Sequence, residues 1–180
     1  MDAEYIFIVN PSSGGGKGEE VARLLNRMLP DHPAFCDGKG QVFFANHVDA
    51  GMLRDTLADA RAVVAVGGDG TAHHLIPYLL SGATPPVLGL IPLGTSNDLA
   101  RALGVPMDKD YTDERILRKT LDELLGAEAT NLDVLSVNEE VFFTNYFSIG
   151  LDAIIVRDFD DVRKSSWAKL LPAGKITNNF

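Results

Sequence analysis

Three short strings constrain this chain more than anything else in it: Asn10-Pro-Ser-Ser-Gly-Gly-Gly-Lys-Gly18, Gly67-Gly-Asp-Gly-Thr71 and Pro92-Leu-Gly-Thr-Ser-Asn-Asp-Leu-Ala-Arg101. Each follows a short apolar run that reads as a buried strand, and each opens into a pattern that reads as a helix. A glycine-rich strand-to-helix turn aims free backbone N–H groups and the positive end of a helix at one point, which is how a fold holds phosphate. Three such turns on one sheet edge point to a nucleotide site. A carboxylate, Asp69, stands among the donors of the middle turn.

Strands and helices alternate around these strings. Tyr5–Val9, Gln41–Ala45, Ala62–Val66 and Val87–Ile91 read as strands; Glu19–Leu29, Asp49–Asp59, Thr71–Leu80 and Ser96–Leu103 read as helices. Val21, Leu24, Leu25 and Met28 share a helical face that Pro30 ends, and Asp49 is a candidate N-cap. This alternation predicts an α/β class: a layered nucleotide-binding domain with a mostly parallel sheet. Right-handed crossovers would bring all three turns to the C-terminal ends of the strands, where open parallel sheets bind ligands.

The texture changes after Gly104-Val-Pro106. Asp113–Leu125 reads as an amphipathic helix ending at Gly126. Thr130–Val137 and Val141–Ile149 read as a hairpin around Asn138-Glu-Glu140, the start of a second, β-rich domain. The expected division is therefore 1–129 and 130–180. Gly150–Leu170 has mixed helical character, and Pro172–Phe180 offers neither a finished strand nor a capped helix. A second domain of about 50 residues is too small to bury a good core alone, so the chain is expected to be a piece of a longer protein.

With 180 residues, 46% hydrophobic and 23% charged, the chain is long and apolar enough for one real core. Its net charge of −9 argues against general affinity for nucleic acid or anionic membrane. Arg157, Arg163, Lys164, Lys169 and Lys175 gather near the C-terminus, where a basic patch and a solvated helix face are equally open readings. The single cysteine, Cys36, forms no internal disulfide, has no adjacent base in its Pro/Gly/Asp-rich loop, and fits a reducing compartment. The acidic start runs straight into a strand, which does not read as a signal peptide, and no apolar stretch approaches the ~20 residues that span a bilayer. A cytoplasmic location is expected.

The two commonest phosphate motifs are absent. Gly16-Lys17 is followed by Gly18, and Pro11 stands where a P-loop needs its first glycine; His73 stands where a dinucleotide fingerprint needs a small residue. A different scheme is needed. Asp69 among phosphate donors makes sense if it holds Mg²⁺, which commonly bridges carboxylate and phosphate. Thr71 is placed to N-cap the next helix and to donate to phosphate. A tight turn with an Asx hydrogen bond would also explain Gly67–Thr71 in isolation. In the third string, Gly94-Thr95 starts the turn and Ser96 or Asn97 can cap the helix. Arg101 lies one turn on, placed to pair with Asp98 or to meet substrate phosphate. His73 and His74 diverge by ~100° on a helix and cannot share a metal, so they read as packing or surface residues. His32 and His47 fall in loops.

These strings resemble the catalytic domain of diacylglycerol kinases, in the superfamily that includes sphingosine and ceramide kinases. The resemblance runs from Tyr5 to Arg157. Asn10-Pro-x-Ser-Gly is similar to the family's opening motif, Gly67–Thr71 to its nucleotide motif, Pro92–Arg101 to its P-L-G-T-x-N-D-x-A-R motif, and Asn145–Ala153 to the strand opening its second domain. NAD kinases and phosphofructokinases share the G-G-D-G string. The Asp98-x-x-Arg101 continuation favours diacylglycerol over sphingosine kinases.

The resemblance implies a two-domain fold with ATP between the domains and Mg²⁺ as its companion. It places Asn10, Ser12, Ser13, Gly14, Gly67, Gly68, Asp69, Gly70, Thr71 and Thr95 at the nucleotide, and Asp133 with Asp69 at the metal. Lys17, Gly94 and Asn97 join the nucleotide contacts from the reading of the turns, and Asp69 is the expected catalytic residue. The family's general base is a carboxylate late in the second domain, and this chain stops before any such motif. The implied activity is transfer of the ATP γ-phosphate to diacylglycerol, giving phosphatidic acid, by a protein that touches the membrane surface transiently and binds no nucleic acid. A kinase of a sphingoid base or NAD, and a nucleotide-binding regulatory module without turnover, are the competing readings.

Overall fold

Apolar runs of five or six residues build the centre of the structure. β1 (Tyr5–Val9), β2 (Gly40–Phe44), β3 (Ala62–Gly67) and β4 (Val87–Pro92) pair in parallel in the order β2-β1-β3-β4. Nearly every residue of β1 and β3 is buried, as strands covered on both faces must be. The computed structural model describes residues 4–138, 140–144 and Ile154. The chain divides into two compact units, Met1–Asn145 and Tyr146–Phe180, and all the elements below belong to the first.

Strand alternation sorts the side chains into two cores. On one face Phe7, Val9, Val64 and Val66 meet Val21 and Leu25 of α1 (Lys17–Met28) and Leu117 and Leu121 of α5 (Glu114–Gly126). On the other, Ile6, Ile8, Val63 and Ala65 meet Leu53 of α2 (Ala50–Leu57), Leu75 of α3 (Asp69–Leu79) and Leu99 of α4 (Asp98–Ala102). Each such leucine contributes about 1.5–3 kcal/mol by leaving water. The expected α/β layering with a parallel sheet is what forms.

The strand order also fixes where a ligand can sit. The chain steps from β1 outward to β2, then crosses back to β3 and β4 on the other side. Loops leaving β1 and β3 therefore diverge, opening the crevice at which parallel sheets bind ligands. The turn after β4 lies next to the one after β3. The ladder carries on into the turns: the Asn10 N–H donates to Val66 O at 2.9 Å, and the Leu93 N–H donates to Gly67 O at 2.8 Å.

Several boundaries differ from the sequence expectation. α3 begins at Asp69 with Gly68 as its N-cap, so Thr71 lies inside the first turn and is not the cap. α4 begins at Asp98, because Ser96 and Asn97 are still in the turn. The hairpin forms, but only as β5 (Leu135–Val137) against β6 (Val141–Phe143), around Asn138 with φ 52°. Residues 130–134 do not pair, since Asn131 and Asp133 are poor strand formers. Extension of β6 to Ile149, the helical character of 150–170 apart from the single residue Ile154, the terminal 172–180 stretch and the basic residues from Arg157 to Lys175 lie outside the described residues.

Asp49 caps α2 as expected, accepting from the Met52 N–H at 2.8 Å. His73 takes a packing role and ties α3 to the hairpin through Thr144 Oγ1 at 3.1 Å. His32 is buried and fully used: Nδ1 accepts the Ala34 N–H and Nε2 meets the Asp122 carboxylate at 3.1 Å.

Candidate nucleotide-phosphate site

The first turn is wound tightly by Asn10 and three glycines. Asn10 Oδ1 accepts the Ser12 N–H at 3.1 Å, and Asn10 O accepts the Ser13 N–H at 3.1 Å. Gly14, Gly15 and Gly16 then run at φ 63°, 69° and 100°, left-handed values that side-chain-bearing residues rarely adopt. Tight turns of this kind can present successive backbone N–H groups to an anion. Helix α1 starts directly behind it at Lys17.

The second turn is the N-terminus of α3. The N–H groups of Asp69 and Gly70 have no intrahelical partner there, as in any first helical turn. Thr71 is 7% exposed, and its hydroxyl, packed over Gly67, finds no partner among the described residues. The Asp69 carboxylate reaches across to the third turn, where Oδ1 accepts the Leu99 N–H at 3.1 Å. It thereby caps α4 from another element.

In the third turn, contrary to the sequence expectation of a cap from Ser96 or Asn97, Asn97 stands at the N-cap position of α4 but makes no side-chain cap hydrogen bond there. It is buried, left-handed, and spends its amide on Gly94: Oδ1 accepts the Gly94 N–H at 3.0 Å and Nδ2 donates to Gly94 O at 2.6 Å. Thr95 and Ser96, between them, are exposed. Arg101 donates to Ser96 O at 3.0 Å rather than pairing with Asp98.

The three turns touch one another. A Cβ placed on Gly94 would stand 2.7 Å from Gly68 Cα, and one placed on Gly14 would stand 3.0 Å from Leu93 O. Only glycines allow so close an approach. Asn10, Ser13, Gly14, Gly67, Gly68, Asp69, Thr71, Gly94 and Asn97 thus form one contiguous patch. The cleft beneath it, between α3 and α4, holds about 10 Å³, on the order of a single water. A phosphate chain would lie over the turns. A groove of about 430 Å³ at the opposite sheet edge, lined by Arg54, Asp55, Tyr78 and Ser81 among others, contains none of the residues singled out from the sequence.

Lys17 borders the patch, with its Nζ 3.3 Å from Asp110 Oδ1 and both side chains half exposed. The Thr112 hydroxyl, then Lys17, hold the Asp110 carboxyl below its ordinary range. Asp110 is the residue that sequence reasoning missed; it lies 93 positions from Lys17, and no local pattern announces it. Asp133 is exposed in the segment before β5 and makes no hydrogen bond to the turns among the described residues. No three His, Cys, Asp or Glu side chains among the described residues stand close enough to share a metal. A single carboxylate nonetheless fits Mg²⁺ where phosphates and waters complete the shell, and Asp69, with one oxygen on Leu99, is such a carboxylate. Among the described residues no helix is long and apolar enough to cross a membrane.

Residues 4–137 match the family described as diacylglycerol kinase catalytic domain. The chain belongs to that family. It is similar to the eye-specific diacylglycerol kinase of Drosophila melanogaster, 32% identical over 183 residues, covering 89% of this chain and 12% of that protein. Diacylglycerol kinase iota of Homo sapiens is 30% identical over 182 residues, covering 89% of this chain and 16% of that protein. The probable lipid kinase YegS of Escherichia fergusonii is 32% identical over 106 residues, covering 58% of this chain and 33% of that protein. The chain thus spans from 12% to 33% of the length of these relatives. The crystal structure of a diacylglycerol kinase from Bacillus anthracis str. Sterne superposes with a TM-score of 0.58 at 22% identity, over 91% of this chain and 55% of that one, a likeness of fold. All three glycine turns of this diacylglycerol kinase-family chain fall inside the matched span.

Proposed function

We propose that this chain is the ATP-binding part of a kinase that transfers the γ-phosphate to the hydroxyl of diacylglycerol, giving phosphatidic acid. The observation that carries the reading is the contact of three glycine turns at the sheet's switch point, with Gly94 against Gly68 and Gly14 against Leu93. Family membership supports the lipid acceptor.

Phosphoryl transfer asks a protein chiefly for positioning and charge neutralisation. In this reading the glycine run and the first turns of α3 and α4 donate backbone N–H groups to phosphate oxygens. A buried hydroxyl without a partner costs about 1–3 kcal/mol, and a phosphate oxygen over the turn would relieve Thr71 of that cost. Lys17 would exchange Asp110 for phosphate, since a half-exposed ion pair holds it weakly. Asp69, with Asp133, is assigned to Mg²⁺, which when bound adds neutralising charge at the phosphates. No general base is assigned among these residues. The lipid acceptor implies transient contact of the whole protein with a membrane surface from the cytoplasmic side.

The test is labelled γ-phosphate transfer by the full-length protein with Mg²⁺, offering diacylglycerol in mixed micelles, sphingosine and NAD in parallel. Labelled phosphatidic acid is expected. Label on sphingosine or NAD alone would move the acceptor, and ATP binding without transfer to any would make the site a regulatory nucleotide sensor.

A further inference from the structure

Asn97 sits where a side chain could be expected to touch the nucleotide, yet its environment gives it other work. The residue is 4% exposed. Its backbone holds φ 48° and ψ 50°, a conformation that only Gly, Asn and Asp adopt readily. Its carbonyl oxygen accepts the N–H of Gly94 at 3.0 Å and its amide nitrogen donates to the carbonyl of the same residue at 2.6 Å. The side chain therefore closes the turn from Gly94 to Asn97 into a ring. It also leaves α4 without a cap of its own, and Asp69 supplies that cap from the second turn.

We propose that Asn97 is a positioning residue: it acts through Gly94, seating the third turn on the second, and does not contact the nucleotide. The consequence is steric. Gly94 lies so close to Gly68 that a methyl group cannot enter between them, and the Asn97 ring sets how Gly94 meets that neighbour. With Gly94 fixed from inside, the exposed Thr95 and Ser96 form the rim that a phosphate would meet. The left-handed backbone is what lets the side chain fold back onto Gly94 rather than forward onto the helix. The inference rests on the phosphate-binding reading of these turns for its purpose, but the bracket itself is made by protein atoms alone.

Asn97→Gly isolates the bracket, because glycine keeps the left-handed backbone and deletes the amide. Asn97→Asp keeps the acceptor for the Gly94 N–H but sets a carboxylate oxygen against the Gly94 carbonyl. Both are compared with wild type in the full-length protein by amide hydrogen exchange over residues 93–99 without nucleotide, and by ATP titration and phosphate transfer. Asn97→Gly is expected to speed exchange in this segment before ATP is added. It should raise KM for ATP about tenfold with little change in kcat, the pattern of lost uniform binding. Asn97→Asp should fall between Asn97→Gly and wild type in exchange. Unchanged exchange with lost ATP affinity would overturn the proposal and make Asn97 a direct ligand. Faster exchange with unchanged ATP affinity would also overturn it, by showing that the bracket positions nothing that binds. Failure of wild type to bind ATP would overturn the phosphate reading and the bracket's purpose together, whatever the exchange shows.

Discussion

Asp69 joins two helix starts. It is the first residue of α3, and its Oδ1 holds the Leu99 N–H in the first turn of α4. Both positions suit an anion, because helix N-termini carry partial positive charge. Asp69→Ala is expected to abolish turnover while the protein stays folded, with a stability loss of about 0.5–2 kcal/mol for the missing cap, read by urea unfolding. Asp69→Asn keeps an acceptor for Leu99 and should recover that stability without recovering turnover. Full turnover in folded Asp69→Ala would end its catalytic assignment. At this scale the sequence reveals that a carboxylate among phosphate donors needs a reason. It does not reveal Leu99 as its partner, because the bond spans 30 positions between two turns that meet only in the folded sheet. Asn97 is legible as a polar residue of the turn, but its burial, its left-handed backbone and its return to Gly94 are not.

The elements were legible where one periodicity ran uninterrupted. All four parallel strands, and α5 with its apolar face, fall within a residue or two of expectation, most cleanly β1 and β3, whose burial demands an unbroken apolar pattern. The turns were not, since helix starts there are decided by contacts between turns: α3 begins two residues early over Gly68, and α4 waits until Asn97 has folded back. Where a helix is capped locally, sequence and structure agree. Asp113 caps α5 through the N–H groups of Arg115 at 2.8 Å and Ile116 at 3.4 Å. The Arg115 N–H, above all, holds its carboxyl below the ordinary 3.8. A carboxyl lowered in the folded state adds stability that is fully present above its unfolded pKa and is lost as pH falls through the folded one. The thermal midpoint of Asp113→Ala should therefore lie below wild type at neutral pH, and the gap should close as pH drops below 3.8. A gap independent of pH would contradict the capping account. Nearby, burial first and the Glu123 charge second push the Tyr111 hydroxyl up to about 12, so it stays neutral and continues to donate to Pro106 O.

At the scale of the whole molecule, one sheet separates two cores and presents the three turns at a single edge. Leu25 and Leu75 are both fully buried, one in each core. Truncating either to alanine should cost about 2–5 kcal/mol in denaturant unfolding. The double variant should lose close to the sum, because side chains without shared partners add; a large departure from additivity would mean that the two faces are coupled through the strands. In the phosphate-binding reading the two-faced sheet is also what would make the edge a site, since α1 and α3 approach it from opposite faces and α4 arrives beside them. The measurement that tests this most directly is amide hydrogen exchange of the full-length protein with and without ATP and Mg²⁺. Slowed exchange is expected together in residues 10–18, 67–71 and 94–101, with none at the opposite-edge groove around Arg54 and Ser81. Protection of that groove, or of one turn alone, would contradict the account.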